Sequence, residues 1–153
     1  MMDDLRELYQ EVILDHGKDP RNFRKVENAN REATGYNPLC GDRLVVTLCV
    51  DENGTVQDAA FTGNGCAISM ASASMMTEIV RGKTRAEAED LFQRFHEMCT
   101  TDEDVDFTDD EDLEKLMVLS GVRQFPVRVK CATLPWHTME AALRGESEAS
   151  TER

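Results

Sequence analysis

Residues 42–66, DRLVVTLCVDENGTVQDAAFTGNGC, contain the strongest secondary-structure signal in the chain. Over residues 43–51, leucine and valine alternate with other side chains, a period of two that is typical of a half-buried strand. Asn53-Gly54 favours a tight turn, and a second run of strand-forming residues follows near 55–62. The stretch therefore predicts a β-hairpin that ends in the glycine-bracketed turn Gly63-Asn64-Gly65-Cys66.

Helical periodicity dominates on both sides of this hairpin. An apolar stripe at residues 3–16 predicts a first helix, and residues 22–39 follow it as a polar, irregular connection. Downstream, the pattern predicts helices from Cys66, from the capping box Thr84-Arg85-Ala86-Glu87, and from near Thr133 after a short run that leads to Cys131. Strands that precede a series of helices predict the α+β fold class.

The length of 153 residues suits one domain with a single core. We expect this domain to cover residues 1–145, because the helical pattern ends at Gly145. The polar residues 146–153 are predicted to form a disordered tail.

The net charge of −13 would repel nucleic acid and anionic membrane surfaces, so neither is an expected partner. The chain contains no run of 18 apolar residues, which predicts that no segment spans a membrane. Its N-terminus, Met1-Met2-Asp3-Asp4, lacks the basic start and apolar stretch of a secretion signal. We therefore expect a cytoplasmic protein.

Five cysteines are present, an odd number that argues against a disulfide framework in a reducing compartment. Cys49 lies inside a predicted strand and Cys99 near the end of a helix, where free cysteines commonly pack as small apolar side chains. Cys40, Cys66 and Cys131 instead lie where turns meet predicted elements. Residues at such junctions often converge to form a site.

Asp42 follows Cys40 by two residues, so both side chains can reach one metal ion. Three thiolates and one carboxylate, from Cys40, Cys66, Cys131 and Asp42, suit tetrahedral Zn²⁺. The alternative for Asp42 is a turn residue that bonds to its own backbone. Arg128 flanks Cys131 and either offsets the charge of such a site, contacts a partner, or is simply solvated.

The motifs around the three cysteines resemble those of the IscU-like family, the NifU N-terminal type of iron–sulfur cluster assembly protein. The resemblance covers most of residues 3–144 and rests on three motifs in order: Asn37-Pro38-Leu39-Cys40-Gly41-Asp42, Gly65-Cys66-Ala67-Ile68-Ser69 and Phe125-Pro126-Val127-Arg128-Val129-Lys130-Cys131. Within the family, the chain looks like the SufU branch. IscU scaffolds usually have a histidine where this chain has Lys130, and the long segment between Cys66 and Cys131 resembles a SufU insertion.

This resemblance implies a small antiparallel sheet packed by helices, with Zn²⁺ held by Cys40, Asp42, Cys66 and Cys131. It also implies a sulfurtransferase in which Cys40 accepts persulfide sulfur from a SufS-type cysteine desulfurase. The sulfur then passes to a downstream SUF cluster-assembly scaffold, and Arg128 is the expected docking residue. An alternative is an IscU-type scaffold with a transient iron–sulfur cluster. A purely structural zinc site is disfavoured, because such sites more often use paired cysteine knuckles.

Overall fold

The computed structural model describes residues 2–101 and 110–150, with side chains from residue 9 onward. Helices pack around one small sheet. The α-helices span Met2–Lys18 (α1), Ala67–Val80 (α2), Arg85–Thr100 (α3), Glu111–Leu116 (α4) and Pro126–Leu143 (α5), with a 3₁₀ helix at Met117–Gln124. In the described part of the chain, no helix combines the length and the apolar character that crossing a bilayer requires.

The sheet has four strands in the spatial order β3-β2-β1-β4. The strands span Arg31–Asn37 (β1), Asp42–Val50 (β2), Val56–Asn64 (β3) and Glu148–Ser150 (β4). Strands β1, β2 and β3 pair antiparallel, whereas β4 runs parallel to β1. The predicted α+β class is confirmed, with the difference that the sheet is mixed at one edge.

The predicted hairpin is the pair β2–β3, in which Val46 lies opposite Phe61. Its turn closes on Asp51, whose Oδ1 accepts the backbone N–H of Thr55 at 2.9 Å. Gly54 has a φ of +81°, a left-handed conformation that glycine adopts at little cost. The sequence signal at Asn53-Gly54 therefore matches the local hydrogen bonding.

The core lies where α2 and α5 pack on the sheet and on each other. The largest side chains in the core are fully buried and apolar, so their removal from water stabilises this packing. They include Leu44, Leu48, Phe61, Met76, Leu134 and Trp136. Helix α3 begins at the predicted capping box, in which Thr84 and Glu87 bond each other's backbone N–H groups.

Strand β1 differs from the irregular connection expected over residues 22–39. Its inward-facing residues are Ala33, Gly35 and Asn37, which are small or polar, so no apolar alternation marks the strand. The reason is close packing, since a Cβ added to Gly35 would collide with the Thr138 hydroxyl of α5. The small residues of β1 are therefore explained by the close approach of α5 to this strand.

Helix α5 also differs from expectation, because it begins at Pro126 rather than near Thr133. Pro126 occupies the first turn, where its missing N–H costs no hydrogen bond. Cys131 consequently lies within the helix, in its second turn, instead of before it. Pro135, expected near the start of the helix, lies inside it.

The expected disordered tail is wrong for Glu148–Ser150, which form β4. Thr34, Gly35 and Tyr36 of β1 lie opposite these three residues in the parallel ladder. The edge of β1 gains partners by this pairing, and the backbone N–H of Thr34 donates to the Ser147 carbonyl at 2.9 Å. Residues 151–153 lie outside the described residues.

Candidate metal centre

The turn between β1 and β2 presents Cys40 at the protein surface. The Asn37 carbonyl accepts the backbone N–H groups of Cys40 at 3.2 Å and of Gly41 at 2.9 Å, which closes a tight turn. Gly41 has a φ of +73° and an added Cβ would meet nothing, so the turn itself demands glycine there. Cys40 is exposed, whereas Asp42 at the start of β2 is buried, with 3% exposure.

Cys66 caps the N-terminus of α2. Its Sγ accepts the backbone N–H of Ser69 at 3.4 Å, and its own backbone N–H donates to Asp42 Oδ1 at 2.9 Å. The cap therefore ties the helix end to the carboxylate at the start of β2. Cys66 is exposed, as Cys40 is.

Cys131 approaches the same place from α5 and is buried. Its Sγ lies 3.5 Å from Cys40 Sγ, and Asn37 Nδ2 lies 3.5 Å from the same sulfur. Because the helix begins at Pro126, the Cys131 side chain is held by regular secondary structure rather than by a loop.

The structure brings three of the four predicted ligands into one group. Ligand atoms of Cys40, Asp42 and Cys131 lie within 4.8 Å of one another. Cys66 is not in that group. It is connected to the group through its N–H bond to Asp42 and through Ser69, whose backbone N–H donates to Cys66 Sγ and whose hydroxyl donates to Asp42 Oδ2.

Hydrogen bonding between Cys66 and Cys131 separates the acidities of the two thiols. Donation from Cys131, with a further contribution from the Ser69 N–H, lowers the pKa of Cys66 to about 6 despite partial burial. The same bond, together with burial, raises the pKa of Cys131. The site thus favours at least one thiolate, the form in which cysteine binds metals and attacks sulfur.

The donor set suits Zn²⁺, which binds thiolate sulfur and carboxylate oxygen in four-coordinate sites. Three neutral groups hold the buried carboxylate of Asp42: the Cys66 N–H, the Ser69 hydroxyl and the Asn37 amide. A divalent cation would supply the positive charge that these neutral donors do not. Sulfur-rich ligands with one oxygen select zinc over magnesium or calcium.

The group of candidate ligands does not include Arg128, Cys99 or Cys49. Arg128 is exposed, and its guanidinium lies 4.6 Å from the centre of the Phe125 ring. Cys99 is buried, which raises its pKa to about 12 and suits the packing residue that was predicted. Cys49 lies half-buried in β2.

Two polar side chains of the site were not identified from the sequence. Asn37 belongs to the motif around Cys40 and Ser69 to the motif around Cys66, but neither residue type in these positions predicts a role in the site. Both are fully buried and both bond Asp42 Oδ2. The spacing of three residues between Cys66 and Ser69 on one helix face is the signal that would have found Ser69.

The fold and the site define a class of protein. The chain belongs to the family of NifU-like N-terminal domains, whose family model matches residues 8–132. This range contains Cys40, Asp42, Cys66 and Cys131, and so the whole candidate metal centre.

Individual relatives are similar over nearly the full chain. The zinc-dependent sulfurtransferase SufU of Bacillus subtilis is 43% identical over 139 residues, which is 91% of each protein. The iron–sulfur cluster assembly scaffold protein IscU of Streptococcus pyogenes is 38% identical, over 95% of this chain and 88% of that protein. The crystal structure of FiSufU of Fervidobacterium islandicum AW-1, described as an iron–sulfur cluster assembly scaffold protein for the SUF system, has a TM-score of 0.78 at 35% identity, over 87% of this chain and 94% of that one.

Proposed function

We propose that this protein is a zinc-dependent sulfurtransferase of iron–sulfur cluster assembly. It accepts persulfide sulfur on Cys40 from a SufS-type cysteine desulfurase and passes it to a downstream SUF cluster-assembly scaffold. The similarity to SufU of Bacillus subtilis supports this activity. The five free cysteines fit a reducing compartment, and we place the activity in the cytoplasm.

The observation that carries the proposal is the exposed thiol of Cys40 beside buried ligands. Cys40 is exposed on a glycine-containing turn, while Asp42 and Cys131, the other members of the group, are buried. Cys66 is exposed as well, but it is fixed as the N-cap of α2. A purely structural metal site needs no exposed ligand, whereas a sulfur acceptor must reach a partner protein. The position of Cys40 meets that requirement.

Sulfur transfer to Cys40 needs no external oxidant or reductant. The Cys40 thiolate attacks the outer sulfur of the persulfide on the desulfurase. A new S–S bond forms on Cys40 as the S–S bond of the donor breaks. The electron pair of that broken bond leaves with the desulfurase cysteine as its thiolate. Cys40 then carries the persulfide, and one sulfur atom has moved between two cysteines.

The other residues of the centre would hold Zn²⁺ while Cys40 reacts. Asp42, Cys66 and Cys131 are the proposed ligands besides Cys40, and each is fixed to a regular element: the start of β2, the cap of α2 and the second turn of α5. When bound, zinc keeps its cysteine ligands deprotonated near neutral pH. Cys40, on a turn, is the ligand with the most freedom to turn toward a partner.

Desulfurase turnover tests this proposal directly. Zinc content is recorded first, and release of sulfur by the cognate SufS-type enzyme is then measured with wild-type protein, Cys40→Ser and Cys49→Ser. We expect one zinc per chain, strong stimulation by wild-type and Cys49→Ser, and loss of stimulation with Cys40→Ser. Cys49 is the matched control, because it is a free cysteine of β2 outside the metal group. Full stimulation by Cys40→Ser would refute the assignment of Cys40.

An IscU-type scaffold is the second candidate, supported by the similarity to IscU of Streptococcus pyogenes. It would use the same ligands to hold a transient iron–sulfur cluster. Anaerobic reconstitution with iron and sulfide separates the two functions. A stable iron–sulfur chromophore without stimulation of the desulfurase would favour the scaffold. Lys130, where scaffolds of the family usually have histidine, is the residue that favours the sulfurtransferase.

A further inference from the structure

The carboxylate of Asp42 is held from two sides. Oδ1 accepts the backbone N–H of Cys66 at 2.9 Å. Oδ2 accepts the Ser69 hydroxyl at 2.7 Å and the Asn37 amide at 3.3 Å. The shortest of these bonds comes from Ser69, and a hydroxyl bonded to a carboxylate is among the stronger hydrogen bonds in proteins.

Ser69 lies among the other candidate ligands as well. Its backbone N–H donates to Cys66 Sγ at 3.4 Å, and its Oγ lies 3.3 Å from the Cys131 carbonyl. The space around it is closed, since a Cβ added to Gly65 would come within 3.1 Å of both Asp42 Oδ1 and Ser69 Cβ. Ser69 itself has no exposed surface. Its hydroxyl is therefore confined between α2, α5 and the start of β2.

We propose that Ser69 is a positioning residue that fixes the orientation of Asp42 and so sets how tightly the chain holds zinc. The inference rests on the proposed zinc function. Without the hydroxyl, the carboxylate keeps its bonds to Cys66 and Asn37 but loses its shortest one, and it can rotate away from the cysteine sulfurs. Residues that orient a metal ligand in this way typically change metal affinity about 10- to 100-fold.

Helix α2 provides a matched control for this effect. Ser72 is also fully buried, and its hydroxyl donates to a backbone carbonyl of α5, that of Ala132. It occupies the next turn of the same helix, yet its hydrogen bond does not involve Asp42. Ser72→Ala therefore removes a buried helix-packing hydroxyl while leaving the carboxylate in place.

Two measurements test the inference. The first is zinc affinity, determined by competition with a chromophoric chelator, and the second is the absorption spectrum of the Co²⁺-substituted protein. We expect Ser69→Ala to bind zinc about 10- to 100-fold more weakly than wild type and Ser72→Ala to stay close to it. We also expect the Co²⁺ bands of Ser69→Ala to shift toward those of Asp42→Ala. Equal zinc affinities for Ser69→Ala and Ser72→Ala would overturn the role of Ser69.

A double-mutant cycle shows whether Ser69 acts through Asp42. In an Asp42→Ala background, Ser69→Ala should cause no further loss of zinc affinity, because the carboxylate it positions is gone. Losses that add independently would overturn the inference. The isosteric pair Ser69→Thr and Ser69→Val repeats the comparison at constant volume, and Thr should bind zinc more tightly than Val. If wild type itself binds no zinc, the proposed function and this inference both fall; if only the Ser69 effect is missing, the proposed function stands.

Discussion

Cys131 Sγ lies 3.5 Å from Cys40 Sγ, although the two residues are 91 positions apart in the chain. The contact joins the turn between β1 and β2 to the second turn of α5. Two thiolates at this distance would repel each other, so the pair needs a proton or a metal ion between its charges. The candidate metal centre therefore depends on the packing that brings α5 beside this turn.

Zinc should stabilise the folded protein. An ion that binds only the folded chain, at a free concentration of about 1,000 times its Kd, adds about 4 kcal/mol to the free energy of unfolding. For a chain of this size that corresponds to a rise in Tm of about 10 °C. Thermal unfolding with zinc and with excess chelator measures the difference. Cys131→Ser should lose most of the rise and Cys49→Ser should keep it; an equal rise in Cys131→Ser would contradict the assigned centre.

Arg128 should contribute to docking of the desulfurase. Its guanidinium lies over the Phe125 ring, and Phe125 and Val127, which are close to it in the chain, are each about half exposed. Loss of an interface arginine commonly costs about 1–2 kcal/mol, or about 5- to 30-fold in affinity. We expect Arg128→Ala to raise the apparent KM for the desulfurase by such a factor, with zinc content unchanged.

Arg123 is the control for this prediction, because it is an exposed arginine on the 3₁₀ helix that precedes α5. Arg123→Ala should change the apparent KM less than Arg128→Ala. If both variants weaken the interaction equally, and salt abolishes the difference from wild type, general electrostatic attraction explains the result. No change with Arg128→Ala would remove it from the docking surface.

Local signals in the sequence were enough to predict the hairpin, the cap of α3 and the start of α2. Each depends on residues close in the chain: the alternation in β2, the Thr84–Glu87 pair and the glycine turn before Cys66. Glycines and short polar side chains determine these features through their own backbone preferences. Neighbouring residues therefore carry the information.

The features that were missed depend on residues far apart in the chain. The place of Gly35 in β1 is explained by the packing of α5 against it. Strand β4 consists of three residues that form a strand by pairing with β1. The contact of Ser69 with Asp42 spans 27 positions. The sequence groups Cys40, Cys66 and Cys131 with Asp42 by their positions at turns, whereas the structure groups three of these residues and links Cys66 through Asp42. The spacing of residues along the chain does not show which distant residues come into contact.

Gly35 should be intolerant of a side chain. A Cβ there would collide with the Thr138 hydroxyl and press on Leu134, both in α5. Overpacking of this kind typically costs about 1–3 kcal/mol, so Gly35→Ala should lower the urea midpoint. Gly121→Ala is the control, because nothing lies within 4 Å of its added Cβ. Unfolding midpoints that fall equally in the two variants would show that α5 does not press on β1.

Acid should weaken the fold partly through two histidines. His137 packs edge-on against Phe92 at 4.8 Å, and His16 Nδ1 lies 2.7 Å from the Ser74 hydroxyl. Burial lowers the pKa of each histidine. Positive charge nearby lowers the pKa further, from Arg21 in the case of His16 and from His96 in the case of His137. The unfolded chain takes up these protons near pH 6.5, before the folded chain does, so stability falls as the pH drops from there toward the folded-state pKa values.

Urea unfolding of the metal-free protein at about pH 7.5 and about pH 5.5 measures this loss. The double variant His16→Gln/His137→Gln cannot take up the two protons, so its stability should drop less between these conditions than that of wild type. Protonation of carboxylates and cysteines contributes equally to both proteins and cancels in the comparison. An identical drop in the two proteins would mean that neither histidine loses solvation on folding, contrary to their burial against Phe92 and Ser74.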